Sequence, residues 1–202
     1  MKESLNKLKS GNQRFVSGTT TYDIDSISAQ RISAVKSQKP FAVILGCSDS
    51  RVPIERVFDQ GLGDLFVIRV AGNVVAPSQI GSVEFAVAMF GTPLVVVLGH
   101  SNCGAIHASI DAMKFPNETR SINIQSIVQR IKPALEPLVA RDGLEHIKIE
   151  DAVKANINTT VAQLRHGSEI IEAQIAANSL EILGAYYDLE SGVVDFYGLD
   201  EI

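Results

Sequence analysis

Cysteine is scarce in this chain, with Cys47 and Cys103 the only two among 202 residues, which excludes the disulfide frameworks that hold small secreted domains together. Tryptophan is absent. Proline, at 7 residues against 15 glycines, is too sparse and scattered for a collagen-like or low-complexity chain. Long apolar runs are missing too: stretches such as 41–45 and 94–98 fall far short of the ~20 residues that span a bilayer, so no membrane partner is expected. Basic residues do not dominate, since 18 Lys and Arg face 23 Asp and Glu for a formal charge of -5. No basic tract could follow a phosphate backbone, so nucleic acid is not an expected partner. The opening MKESLNKLKSGNQRF has no apolar core followed by a small-residue cleavage site. A cytoplasmic location is the expectation, or a periplasmic one should this be a trimmed mature chain.

What is present is an ordinary globular composition, 46% hydrophobic and 20% charged. A chain of this size buries roughly 70% of its unfolded surface, enough for one core, and a single domain over 1–202 is expected. From about residue 40 short apolar runs alternate with stretches of helical period, the pattern of an α/β fold with a sheet flanked by helices. The strand candidates are 41–46, 65–70, 94–99, 180–189 and 193–198. The first and third are apolar on both faces, as buried parallel strands are. The last two are separated by Glu190, Ser191 and Gly192, which predicts an antiparallel edge hairpin.

Helical stripes fall between them. Val83, Ala86, Val87 and Phe90 form one; Ile124, Ile127, Val128, Ile131 and Leu135 form a second, expected to be kinked or shortened near Pro133 and Pro137. Val153, Ile157, Val161 and Leu164 mark a third, and Leu5 and Leu8 open an N-terminal helix running towards Phe15. The polar TTTYDIDSIS, 19–28, reads as an exposed loop.

Two bare thiols are commonly buried and inert, and a disulfide between them is a further plain reading that a reducing cytosol opposes. Their placement argues for more. Cys47 follows the first strand and Cys103 lies just past the third, in LGHSNCG, and ligands in open α/β sheets bind at the carboxyl ends of neighbouring strands. His100 stands three positions before Cys103. Two thiolates and an imidazole make a three-ligand set suited to zinc, with a fourth position left open as in catalytic sites. Asp49 and Arg51, in GCSDSRVP, place a carboxylate near that position with a guanidinium able to hold it in a bidentate pair. Released from Arg51, Asp49 could itself become a fourth ligand. HxxC or DxR alone is a weak signal; both at matching strand ends are not.

CSDSRVP at 47–53 and GHSNCGA at 99–105 resemble the two zinc-ligand motifs of the β-class carbonic anhydrases, and GNQRF (11–15), GDLFVIRVAGN (63–73) and SVEFAV (82–87) extend the resemblance. It implies Zn(2+), one per subunit, on Cys47, His100 and Cys103, with Asp49 and Arg51 as a dyad orienting the zinc-bound nucleophile that hydrates CO2 to bicarbonate. By the same resemblance Gln38 reaches the active site at a dimer interface, Phe66 and Ala71 line an apolar CO2 pocket, and the Gly104 N–H holds a bicarbonate oxygen. The implied fold has four parallel strands plus one antiparallel edge strand. The implied assembly is a homodimer or a dimer of dimers, with the helical arm 1–36 packing on the partner subunit. Ile44 stands where some members carry a tryptophan in a bicarbonate-binding switch, so allostery through that pocket is not expected. His107, His146 and His166 are read as surface or structural. Three alternatives remain at this stage: a carbonyl sulfide or carbon disulfide hydrolase on the same scaffold, a non-catalytic zinc protein closed by Asp49, and a metal-free redox pair of Cys47 and Cys103.

Overall fold

The computed structural model describes residues 1–21, 30–32, 34–116 and 121–198. After α1 (Lys2–Ser17) come β1 (Ala42–Gly46), the short α2 (Ile54–Val57), β2 (Leu65–Arg69), a 3-10 turn at Ala71–Asn73 and α3 (Pro77–Phe90). The second half runs β3 (Leu94–His100), α4 (Gly104–Lys114), α5 (Ile122–Asp142), a 3-10 turn at Leu144–His146, α6 (Ile149–His166), α7 (Glu169–Ala176), β4 (Glu181–Tyr187) and β5 (Val194–Tyr197). The sheet order is β2-β1-β3-β4-β5. The first four strands are parallel and β5 pairs antiparallel with β4, the expected α/β architecture.

Both central strands are buried along their full length, and alternation of side chains across the sheet explains why they read as continuous apolar runs. Val43, Leu45, Val95 and Val97 enter one core with Val83, Ile131, Ile157 and Leu164 from the helices. Ala42, Ile44, Val96 and Leu98 enter the other, with Leu5, Leu8, Ile54 and Phe58. The α6 stripe is buried at all four expected positions, each large side chain contributing about 1.5–3 kcal/mol. Cys47 continues the odd-numbered face of β1 and joins the first core with Cys103.

Two expectations are corrected. The helix holding Pro133 and Pro137 is not shortened but runs unbroken over Ile122–Asp142 with both prolines inside it. The prolines are four residues apart on the exposed face, so the carbonyls that lose an N–H partner point to water. The apolar stripe on this helix also starts later than its periodicity predicts, since Ile124 is 51% exposed. The loop predicted at 19–28 lies mostly outside the described residues. Among the described residues no helix is long and apolar enough to cross a membrane.

Candidate metal centre and active site

β1 and β3 are hydrogen-bonded neighbours running the same way, so the chain segments leaving their carboxyl ends meet. Cys47 follows the last residue of β1, and His100 is the last residue of β3. Asn102 bends the chain with φ 53, a left-handed conformation that asparagine tolerates better than most residues, and Cys103 then caps α4. The thiols of Cys47 and Cys103 and a ring nitrogen of His100 lie within 4.8 Å of one another, all three residues being buried. The two sulfurs are 4.0 Å apart, close to the ~3.8 Å that two 2.3 Å zinc–sulfur bonds subtend at a tetrahedral angle. Both cysteines are free.

The donor set fits a cation. His100 Nδ1 sits 2.9 Å from the Ser101 carbonyl, which can only accept, so Nδ1 carries the proton and Nε2 presents its lone pair. His100 is 0% exposed, and among the described residues that Nε2 has no hydrogen-bond partner, a costly arrangement for a buried polar atom unless an electrophile meets it. The hydrogen bond from Cys103 holds the Cys47 thiol far below its ordinary pKa against the effect of burial. The same hydrogen bond, with burial, pushes Cys103 up. A divalent cation bound between the two sulfurs would favour ionisation of both.

Beside this cluster Asp49 is gripped by Arg51, whose Nε and Nη2 donate to Oδ1 and Oδ2 at 2.9 and 2.8 Å. The Arg51 backbone N–H adds a bond to Oδ1 at 2.9 Å. The guanidinium holds the Asp49 carboxyl well below the usual carboxylate range. Asp49 Oδ2 lies 3.9 Å from His100 Nε2, so the dyad borders the ligand cluster. Arg51 Nη2 also donates to the Asn102 carbonyl at 3.2 Å, joining the two ligand-bearing loops.

Other predicted positions are distributed unevenly. Gly104 opens α4 beside Cys103, exposed, with open space where a side chain would stand. Ala71 is half-buried next to Gly72, whose N–H donates to Cys47 Sγ at 3.3 Å. Phe66 is half-buried on β2, with ring contacts to Phe85 and Phe90 of α3 at 6.4 and 6.2 Å between centroids. Gln38 is exposed in the segment before β1. Ile44 is fully buried on the α1 side of the sheet. His107, His146 and His166 are exposed.

Sequence reasoning assigned no role to Arg69, which donates to the Cys47 carbonyl at 3.1 Å and the Asp49 carbonyl at 2.7 Å. Its signal was its position as the last residue of the strand beside β1. Gly72 carried no local signal, because its donation to sulfur depends on a turn packed from elsewhere in the chain.

A family profile described as carbonic anhydrase matches residues 42–194, the span containing every residue of this cluster. The chain belongs to the β class of the carbonic anhydrases. These are enzymes of reversible CO2 hydration. The chain is 41% identical over 185 residues to carbonic anhydrase 2 of Mycobacterium tuberculosis, covering 92% of this chain and 87% of that one. It is 41% identical over 188 residues to a carbonic anhydrase of Mycolicibacterium smegmatis, covering 93% and 89%. The solved β-carbonic anhydrase CcaA superposes with a TM-score of 0.74 at 25% identity, covering 96% of this chain and 95% of that one.

Proposed function

We propose that this carbonic anhydrase converts CO2 and water to bicarbonate and a proton at a zinc ion held by Cys47, His100 and Cys103, with Asp49 and Arg51 as the orienting dyad. The observation that carries this reading is the unpartnered Nε2 of a wholly buried His100 beside two buried thiols. Zinc in that set supplies a Lewis acid that brings the pKa of a water down towards ~7, or higher where two thiolates feed it charge.

The chain's own groups do the rest. Asp49, kept ionised by Arg51, would accept a hydrogen bond from the O–H of the attacking group and so fix its direction of approach. Because both carboxylate oxygens are engaged by Arg51, Asp49 would be held back from ligating a metal on Cys47, His100 and Cys103. Carbon dioxide offers no hydrogen-bond donor and suits the apolar surface of Phe66 and Ala71. The charged product suits the Gly104 N–H, which lies at a helix N-terminus with no side chain in the way.

Gln38, exposed in the single chain, is read as completing the site of a partner subunit in a homodimer or dimer of dimers, with the arm 1–36 contributing to the contact. The exposed Phe85 and Met89 support an apolar subunit interface beside Phe66.

The test is stopped-flow CO2 hydration on protein of measured zinc content between about pH 6.5 and 9, a window around the expected water pKa. Activity that rises with pH and scales with zinc is expected. Silence at full zinc occupancy, or faster turnover of carbonyl sulfide than of CO2, would overturn the reading.

A further inference from the structure

We propose that Asn156 is a positioning residue for the metal centre: by holding the Gly72 carbonyl it aims the Gly72 N–H at Cys47 Sγ and so tunes that ligand. The inference rests on the zinc reading above and extends it to α6, a helix that supplies no ligand.

Asn156 interrupts the apolar stripe of α6 between Val153 and Ile157 and is 2% exposed. An amide buried there without a partner is costly. Its partner is specific, since Nδ2 donates to the Gly72 carbonyl at 2.8 Å. One helical turn on, the Thr160 hydroxyl donates to the Asn73 carbonyl at 3.3 Å. These bonds pin a left-handed turn, for Gly72 and Asn73 both have positive φ, 71 and 44. On its other side the turn is walled in: a Cβ at Gly72 would lie 2.8 Å from Ile131 Cδ1 and 3.0 Å from Ala105 Cβ. With its carbonyl anchored to α6 and its α-carbon against Ile131, Gly72 has its N–H left facing Cys47 Sγ at 3.3 Å.

The chemical consequence follows from charge. An N–H donated to a thiolate draws negative charge from the sulfur, so the sulfur neutralises a bound cation less and the cation remains the stronger Lewis acid. The effect matters most where two of three ligands are thiolates. Asn156 therefore acts on Cys47 through Gly72, without touching substrate or metal.

The test compares the full-length parent chain with Asn156→Leu, and with Asn156→Ala, which adds no atoms should the leucine be too bulky to fold. Each is loaded with cobalt(II) to read the sulfur-to-metal charge-transfer band, and with zinc in competition with a chromogenic chelator. The expected result is a shifted cobalt band and a hydration profile whose midpoint moves to higher pH, both from the more strongly donating sulfur, with zinc affinity nonetheless lower on the order of 10- to 100-fold because Cys47 is no longer held in place for the metal. Thr160→Val removes the neighbouring bond but not the one to Gly72, and is expected to lower thermal stability with band and midpoint in place. A folded Asn156 variant with the parent's band, affinity and midpoint would overturn the proposal, as would failure of both variants to fold, which would make the residue structural only. A parent chain with no sulfur-to-cobalt band would overturn both this assignment and the zinc reading, and is thereby distinct from failure of the Asn156 assignment alone.

Discussion

Arg51 holds Asp49 at two points, Nε to Oδ1 at 2.9 Å and Nη2 to Oδ2 at 2.8 Å, while Oδ2 stands only 3.9 Å from His100 Nε2. The carboxylate is thus close enough to the ligand cluster to join it and is restrained from doing so by one side chain. Replacing Arg51 with methionine is expected to keep zinc, add an oxygen ligand at ~2.0–2.2 Å, and slow hydration on the order of 10- to 100-fold. X-ray absorption at the zinc edge together with stopped-flow rates checks both parts; an unchanged metal environment would argue against the restraint.

The ligands and the dyad should separate in mutants. Cys103→Ser is expected to lose zinc and activity together, because a hydroxyl is a poor substitute for a buried thiolate. Asp49→Asn is expected to retain zinc while hydration falls at every pH. Metal analysis beside kcat/KM decides the matter, and equal metal loss in both variants would contradict the division of roles.

Acid stability should depend on Asp59. Burial pushes its carboxyl up, but the hydrogen bond from Arg14 and those from the Thr21 N–H and hydroxyl outweigh it and leave the pKa lowered. A lowered carboxyl pKa means that its stabilisation is complete above the unfolded value of ~4 and is lost as pH falls through the folded value. Asp59→Asn isolates the charge, since asparagine also accepts the positive φ of 47 found there. Urea denaturation at pH 7 is expected to show a loss of about 2 kcal/mol that largely disappears in strong acid. An equal loss at both pH values would sink the electrostatic account.

Asn12 ties the N-terminal helix to the last strand. Its Nδ2 donates to the Val57 and Gly192 carbonyls at 3.2 and 2.9 Å, and its Oδ1 accepts from the Val194 N–H at 2.9 Å. Asn12→Ala is expected to cost about 3 kcal/mol, because buried backbone groups are left without partners. Hydrogen exchange should quicken first at Val194; uniform exchange across the sheet would show that β5 does not depend on this contact.

The two prolines of α5 offer a change of opposite sign. Pro133→Ala restores a helical N–H on the exposed face, and after allowance for a more flexible unfolded chain it is expected to stabilise by about 2 kcal/mol. Thermal denaturation reads this directly, and a lower midpoint would mean that the ring makes contacts the helix needs.

Elements carried by local pattern were readable from the chain. The runs 41–46 and 94–99 are apolar on both faces because parallel strands covered by helices bury alternate side chains in two cores, and the stripe of Val153, Ile157, Val161 and Leu164 repeats at the helical period. Pro133 and Pro137 do not shorten their helix, because a proline's cost depends on whether its orphaned carbonyl meets water or core, and sequence period does not reveal that. Asn156 was passed over for a related reason: an amide inside an apolar stripe carries no sign of what it bonds until the Gly72 turn is packed against it.

The sequence by itself determined the ligand types, their spacing and the strand ends they occupy, since strand ends and turns are written in short-range pattern. It also carried Asp49 and Arg51 two positions apart, a separation that local chain geometry can close. Only the tertiary structure decided that Cys47 and Cys103 stand 4.0 Å apart, that His100 Nε2 is left without a partner, and that α6 holds the turn donating to Cys47. The first and last of those join residues distant along the chain, and such contacts exist only once parallel pairing of β1 and β3 has fixed which strand ends are neighbours.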